Sequence, residues 1–199
     1  MSGGVKAQVK TNNTPGSVCR MSVEPVRFDA LWKAYPSGKP SQAKDAHGNL
    51  LYTNQCAIKV SVALHKVGVE MKSFSGAHTV LDGKRAALRA EELAAWLNKM
   101  PFCGLPSKAD PVTGPDWKDK VKGRTGIIFF GDYWTRDGES QANASGDHID
   151  LWNKSALTPS IESTLRFRLG ISRMPNLLGS GNWYSDLDKS KSVLFWEIK

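Results

Sequence analysis

The apolar residues in the first half of the chain recur at helical spacing. This spacing predicts a short helix over 27–36 that ends before Pro36, a helix over 56–67 that ends at Gly68, and an amphipathic helix over 89–100. The second of these is the most apolar. Apolar residues cover most of its circumference, which is typical of a buried central helix, and its first residue is Cys56.

The apolar residues in the second half form short runs that indicate strands. Residues 126–130 are apolar throughout and predict a central strand, 148–153 alternate as in a strand with one polar face, and 192–199 predict a closing strand. Residues 131–147 are predicted to form a polar loop, either functional or merely solvated. Because helices come early and strands come late, the fold class is α+β.

Polar segments separate these elements. Residues 1–25 are predicted to be a flexible N-terminal extension, followed by a single catalytic domain over 26–199. Residues 37–49 are predicted to be a loop, and 101–123, which contain four prolines, to be mostly irregular.

Composition narrows the function classes. No apolar run approaches the roughly 18 residues of a membrane span, so we expect no membrane insertion. The N-terminal residues contain no apolar segment of the kind found in a Sec signal. A net charge of +8 favours a polyanionic partner. The basic residues are dispersed and lack interleaved aromatic residues, so we do not expect nucleic acid to be that partner.

The chain has three cysteines, Cys19, Cys56 and Cys103, without metal-type spacing. A disulfide between Cys19 and Cys103 would leave Cys56 free, but the sequence alone does not establish it. No residue pattern requires a metal ion or an organic cofactor.

A nucleophilic thiol is favoured by a helix N-terminus and a neighbouring imidazole. His65 lies nine residues after Cys56 on the same predicted helix, about half a turn out of phase and roughly 13 Å along the axis, so it cannot reach the thiol. His47 and His78 are predicted in loops, whereas His148 begins a strand that would hold its ring in a fixed direction. The opposing interpretation, a core cysteine and a non-functional strand histidine, stays open on spacing alone.

Five segments together carry a resemblance to a known family: NQCAIKVSVALHKVG, RAEELAAWLNK, GIIFF, GDHIDLWN and SVLFWEI. From about Phe28 to Lys199 the chain resembles the type VI secretion amidase effectors of the fourth family. The resemblance implies a papain-like, NlpC-like fold whose central nucleophile helix packs on an antiparallel β-sheet. It also implies a cysteine amidase (a D,L-endopeptidase) that cleaves the γ-D-glutamyl–meso-diaminopimelate bond of peptidoglycan stem peptides.

The same resemblance implies an antibacterial toxin. It would be made in the cytoplasm without a Sec signal, exported by the type VI secretion apparatus into rival bacteria, and active in their periplasm. Its partners would be the stem peptide and a cognate periplasmic immunity protein.

Residue roles follow from matching the family's motifs. Cys56 matches the nucleophile, with its backbone N–H in the oxyanion hole, and His148 matches the general base. Asn54 and Gln55 are candidates either for orienting the nucleophile loop or for stabilising a turn. Trp134, in the predicted polar loop, is a candidate for lining the substrate groove or contacting the immunity protein.

The chain departs from the family in two places. The Gly146–His148 segment has one residue more than the family's Gly-His pair, and Pro159 occupies the position of an aspartate found in some members about eleven residues after the histidine. Asp150 is therefore the leading candidate for the third catalytic residue, although neighbours at i and i+2 on a strand often point side by side. Glu162, Asn153 or a backbone carbonyl are the alternatives.

Two other functions are compatible with the sequence. One is a non-enzymatic basic module that binds cell wall or nucleic acid, and the other is a papain-like protease or transferase acting on proteins. In the binding module, Cys56 would be unreactive.

Overall fold

The computed structural model describes residues 25–134, 145–159 and 187–199. It divides into two compact units, one reaching to Lys108 and including Ile198–Lys199, here called the helical unit, and one spanning Ala109–Glu197, here called the sheet unit. The extension predicted over 1–25 lies outside the described residues except for Pro25. That 26–199 act as one domain stays a prediction.

The helical unit contains all three predicted helices. They are α1 (Phe28–Ala34), α2 (Cys56–Lys66) and α3 (Ala90–Leu97). Helix α2 is followed by Gly68, whose φ of +96° suits a residue without a side chain. The longest of the described helices has 11 residues, and none of them has the length and apolar character of a membrane span.

A β-hairpin in the helical unit was not predicted. Strands β1 (His78–Leu81) and β2 (Lys84–Ala87) pair antiparallel, and the turn residues Asp82 and Gly83 have φ values of +49° and +72°. Positive φ at both positions is what a two-residue type I′ turn requires, and Asp-Gly is a preferred sequence for it. The prediction that His78 lies in a loop is therefore wrong, because this residue begins β1 opposite Ala87.

The sheet unit is built on five antiparallel strands. They are β3 (Asp110–Pro111), β4 (Thr125–Trp134), β5 (Gly146–Asn153), β6 (Ala156–Leu157) and β7 (Ser192–Glu197), in the order β3-β7-β4-β5-β6. The apolar segment predicted to be a central strand is indeed in the middle of the sheet. The α+β class and the antiparallel sheet are confirmed.

The prediction of a loop over 131–147 is wrong at both of its ends, because the first and last residues of this range belong to strands. Strand β4 continues to Trp134, which pairs with Gly146 at the start of β5, and the register shifts between Phe130 and Trp134. The shift is a β-bulge, in which extra residues of one strand oppose fewer residues of its partner. A bulge interrupts alternation, which explains why the sequence pattern did not show the continuation. Residues 135–144 lie outside the described residues.

A short helix, α4 (Trp117–Val121), covers one face of this sheet. The fully buried ring of Trp117 packs edge-on against Phe130 and Trp152, with centroids 4.8 and 5.5 Å apart. The indole Nε1 of Trp152 donates a hydrogen bond of 2.9 Å to the carbonyl of Val121. These contacts fix the position of β5, the strand that also carries His148 and Asp150 on the same face as Trp152.

Candidate active site

Cys56 is the first residue of α2 and carries a free thiol of intermediate exposure. The residues that follow it are the ones that enter the core, since Ala57 and Ile58 are each 1% exposed and Val60 is fully buried. The thiol therefore lies at the accessible end of a buried helix. Helix N-termini favour anions, so this position suits a thiolate.

The loop before Cys56 is held by Gln55. Its side chain is 4% exposed, its Oε1 accepts the N–H of Ser41 at 2.9 Å, and its Nε2 donates to the carbonyls of Ser41 and Tyr52 at 2.8 and 2.9 Å. Asn54 is exposed, and its Oδ1 accepts the N–H of Cys56 at 3.3 Å. In the structure both side chains stabilise the backbone turn that presents Cys56.

His148 lies on β5 directly opposite Phe130 of β4. Its imidazole is stacked on the Phe130 ring, with the ring centroids 6.4 Å apart. It meets the Tyr133 ring edge-on, with the centroids 6.5 Å apart. The Oδ1 of Asp147, directly before His148, accepts the N–H of Asp132 at 3.0 Å, and Asp132 has a φ of +53° where the register of β4 shifts. The register shift thus comes directly before His148, which stays paired with Phe130.

Asp150 faces His148 in spite of the i, i+2 spacing. His148 Nε2 lies 3.5 Å from Asp150 Oδ2, and the two side chains are 17% and 3% exposed. The other carboxylate oxygen, Oδ1, accepts the hydroxyl of Thr158 at 2.5 Å and the N–H of Leu151 at 2.8 Å. A buried carboxylate held in this way can stabilise a protonated imidazole.

The other candidates for the third residue differ in position. Asn153 lies an odd number of residues from His148 on β5 and so projects from the opposite face of the strand. Glu162 lies outside the described residues. Trp134 is the last residue of β4, and its side chain is outside the described part.

Thr158 was missed by the sequence reasoning, which considered only the neighbouring Pro159. The sequence signal for Thr158 would have been a polar residue directly after a short strand that pairs with β5.

The remaining histidines have other roles. His65 Nδ1 lies 2.7 Å from the carbonyl oxygen of Val69 and its Nε2 lies 2.6 Å from that of Arg85, so its ring connects the end of α2 to the hairpin. His65 is of intermediate exposure. His47 is exposed and lies in a turn, in agreement with the loop predicted for it.

Cys103 is disulfide-bonded, whereas Cys56 is free. Cys19, the pairing partner considered from the sequence, lies outside the described residues. Within the described ranges, no group of three or more His, Cys, Asp or Glu side chains is placed to hold a metal ion.

A free thiol at a helix start, followed later in the chain by a strand-borne His–Asp pair, is an order of residues that occurs in papain-like cysteine hydrolases. The model of the family described as "Type VI secretion system (T6SS), amidase effector protein 4", Tae4, matches residues 52–196. This match covers most of the chain and includes all three of these residues, so the chain belongs to the Tae4 family. It is therefore a peptidoglycan-cleaving amidase effector of the D,L-endopeptidase kind, delivered into target cells where it acts on periplasmic peptidoglycan.

Solved structures of Tae4 proteins are similar in fold. The Tae4–Tai4 effector–immunity complex from Enterobacter cloacae matches with a TM-score of 0.53 and 21% identity over 89% of this chain and 100% of that one. Tae4 from Salmonella typhimurium, in complex with the E. cloacae immunity protein Tai4, matches with a TM-score of 0.52 and 17% identity over 88% and 99%. No curated protein matches significantly. These similarities confirm the papain-like fold.

Proposed function

We propose that this protein cleaves the γ-D-glutamyl–meso-diaminopimelate bond with Cys56 as nucleophile, His148 as general base and Asp150 as the residue that orients and stabilises the imidazole. The observation that carries this proposal is the free, partly exposed thiol at the first residue of α2, inside the segment that matches the family. The His148–Asp150 pair supplies the base that such a thiol requires.

In the first step, His148 takes the proton of the Cys56 thiol and the sulfur attacks the γ-carbonyl carbon of D-glutamate. Asp150 faces Nε2 of the ring, so Nδ1 is the nitrogen that exchanges the proton with the thiol. The carbonyl oxygen becomes an oxyanion and accepts the backbone N–H of Cys56. Because Asn54 Oδ1 accepts this N–H at 3.3 Å in the structure, the substrate oxygen replaces the Asn54 side chain when it binds.

In the second step, the protonated His148 donates its proton to the amine of diaminopimelate as the carbon–nitrogen bond breaks, leaving a thioester on Cys56. His148 then removes a proton from a water molecule, whose oxygen attacks the thioester. The glutamyl carboxylate is released and the thiol is regenerated, so each cycle consumes one water and cleaves one amide bond.

Digestion of purified sacculi tests this function, with the products identified by mass spectrometry. Cys56→Ala and His148→Ala should each abolish the appearance of new diaminopimelate amino termini while the thermal unfolding midpoint stays close to that of the wild type. His47→Ala, which changes an exposed histidine, is the matched control and should retain full activity. Continued digestion by Cys56→Ala would falsify the proposal.

The proposal takes residues 26–199 as a single catalytic domain that carries the thiol and the His–Asp pair. Trp134, at the end of β4, stays a candidate for contacting substrate or immunity protein.

Synthesis in the cytoplasm and export through the type VI apparatus, rather than through the Sec pathway, form part of the same proposal. So does a cognate immunity protein, because Tae4 relatives have been solved in complex with Tai4. Expression with an added periplasmic signal should arrest growth, whereas cytoplasmic expression should not. Co-expression of the immunity protein in the periplasm should restore growth. Toxicity confined to the cytoplasm would contradict a peptidoglycan target.

A further inference from the structure

We propose that Thr158 is a positioning residue of this active site, whose hydroxyl fixes the Asp150 carboxylate in the orientation that supports His148. This inference rests on the proposed function of Cys56, His148 and Asp150. It assigns the role of the side chain behind the His–Asp pair, which neither the sequence motifs nor the similarity to solved structures identified.

The contacts define a chain of three side chains. The Thr158 hydroxyl donates to Asp150 Oδ1 at 2.5 Å, and the backbone N–H of Leu151 donates to the same oxygen at 2.8 Å. Asp150 Oδ2 is then the oxygen that lies 3.5 Å from His148 Nε2. Thr158 and Asp150 are 1% and 2% exposed, so bulk water does not compete for these bonds.

The carboxylate needs such support because of its place on the strand. Side chains at i and i+2 lie side by side, so Asp150 meets His148 only if its carboxylate plane is turned toward the ring. The terminal torsion of an aspartate is broad, and nothing intrinsic to the residue selects that plane. Two donors on Oδ1 select it, because rotation about this torsion would break both hydrogen bonds in a site that is closed to water.

The local fold delivers the hydroxyl. Strand β6 pairs back on β5 with Trp152 opposite Leu157 and Asn153 opposite Ala156. This pairing ends at Leu157, and Thr158, the first residue after β6, leaves the strand with its hydroxyl against Asp150 Oδ1. Lys154, with a φ of +60°, lies in the tight turn that joins the two strands.

The test compares Thr158→Val, which removes the hydroxyl at nearly constant volume, with Thr158→Ser, which retains it. Thr113→Val is the matched control, because among the described residues the Thr113 hydroxyl forms its hydrogen bonds with the Val193 backbone, accepting its N–H at 2.8 Å and lying 3.4 Å from its carbonyl oxygen. For each variant, kcat and KM are measured on a purified muropeptide, and the rate of Cys56 alkylation by iodoacetamide is measured at neutral pH.

Thr158→Val should lower kcat by about tenfold or more, with little change in KM, since it removes one hydrogen bond to a buried charge that acts in the transition state. The alkylation of Cys56 should slow as well, because a less well-held imidazolium stabilises the thiolate less. Thr158→Ser should restore both quantities to near wild-type values. Thr113→Val should lower the thermal unfolding midpoint without changing kcat.

Wild-type kcat in Thr158→Val, or failure of Thr158→Ser to restore activity, overturns the positioning role. If Thr158→Val does not fold, Thr158→Ala is measured in its place with the same outcomes. The proposed function fails separately, when Cys56→Ala remains active. An inactive Cys56→Ala together with a fully active Thr158→Val therefore rejects only the role of Thr158.

Discussion

Asp150 shows what a single residue's place in the sequence can and cannot reveal. Its spacing from His148 made it a candidate, but whether its carboxylate faces the ring depends on Thr158, eight residues later and beyond a turn. Side-chain orientation on a strand is decided by neighbours on the adjacent strand. The sequence therefore identified the candidate, and the contacts of the folded strands were needed to orient it.

Asp150→Asn should lower kcat by about a hundredfold or more while the protein remains folded. The amide has the shape of the carboxylate but no charge, and an N–H turned toward His148 Nε2 would favour the wrong imidazole tautomer. Steady-state kinetics on a purified muropeptide measure the effect. Asn153→Ala, on the opposite face of β5, should leave kcat unchanged. Equal activity of Asp150→Asn and wild type would remove Asp150 from the site.

Gln55→Leu should lower the free energy of unfolding by about 2–3 kcal/mol. The substitution keeps the side-chain size but leaves the buried backbone N–H and carbonyl of Ser41 without their partner. Denaturant unfolding followed by fluorescence measures the loss. Gln42→Leu is the control: Gln42 is exposed and makes one bond to the Lys39 carbonyl, so the change should cost less than about 0.5 kcal/mol. Equal effects of the two substitutions would contradict a structural role for Gln55.

At the scale of elements, the length of an apolar pattern decided what the sequence predicted. Helix α2 spans three turns and its pattern is long enough to be unambiguous, whereas α4 has five residues among prolines and glycines. The hairpin has short strands whose exposed positions, such as Val80 at 61%, break the expected alternation of apolar and polar residues. Its Asp-Gly turn was the readable signal. The bulge in β4 required knowledge of its partner strand, which no single-strand pattern contains.

The pairing of β4 with β7 gives a prediction for Gly126. A Cβ at this position would lie 2.0 Å from the carbonyl oxygen of Trp196, an overlap with backbone that no rotamer change can relieve. Gly126→Ala should therefore force the two strands apart and lower the free energy of unfolding by about 3 kcal/mol. At Gly38 an added Cβ meets no atom within 4 Å, so Gly38→Ala should leave the stability nearly unchanged. Thermal melts of the two variants and the wild type measure both effects. A wild-type midpoint for Gly126→Ala would show that the strands tolerate a wider spacing.

At the scale of the whole molecule, the family could be recognised from the sequence because two motifs occur in the right order far apart in the chain. Cys56 and His148 are separated by 92 positions, and neither surrounding motif would be specific alone. The same sequence patterns did not reveal a division of the described residues into a helical unit and a sheet unit. Compactness depends on long-range contacts, and local hydrophobic periods carry no information about them.

The net charge of +8 is a property of the whole molecule and should act on the substrate as a polymer. Sacculi carry many carboxylates, so attraction between the basic surface and the cell wall should raise the local enzyme concentration. Raising NaCl from about 0.01 M to about 1 M shortens the screening length from about 30 to about 3 Å. The initial rate of sacculus digestion at low enzyme concentration should then fall about tenfold or more, while kcat on a small soluble muropeptide changes little.

A double variant, Lys84→Glu with Lys122→Glu, reverses two exposed charges and should weaken this salt dependence without lowering kcat on the soluble muropeptide. Digestion of sacculi at equal rates in both salts would show that the charge serves solubility rather than substrate encounter.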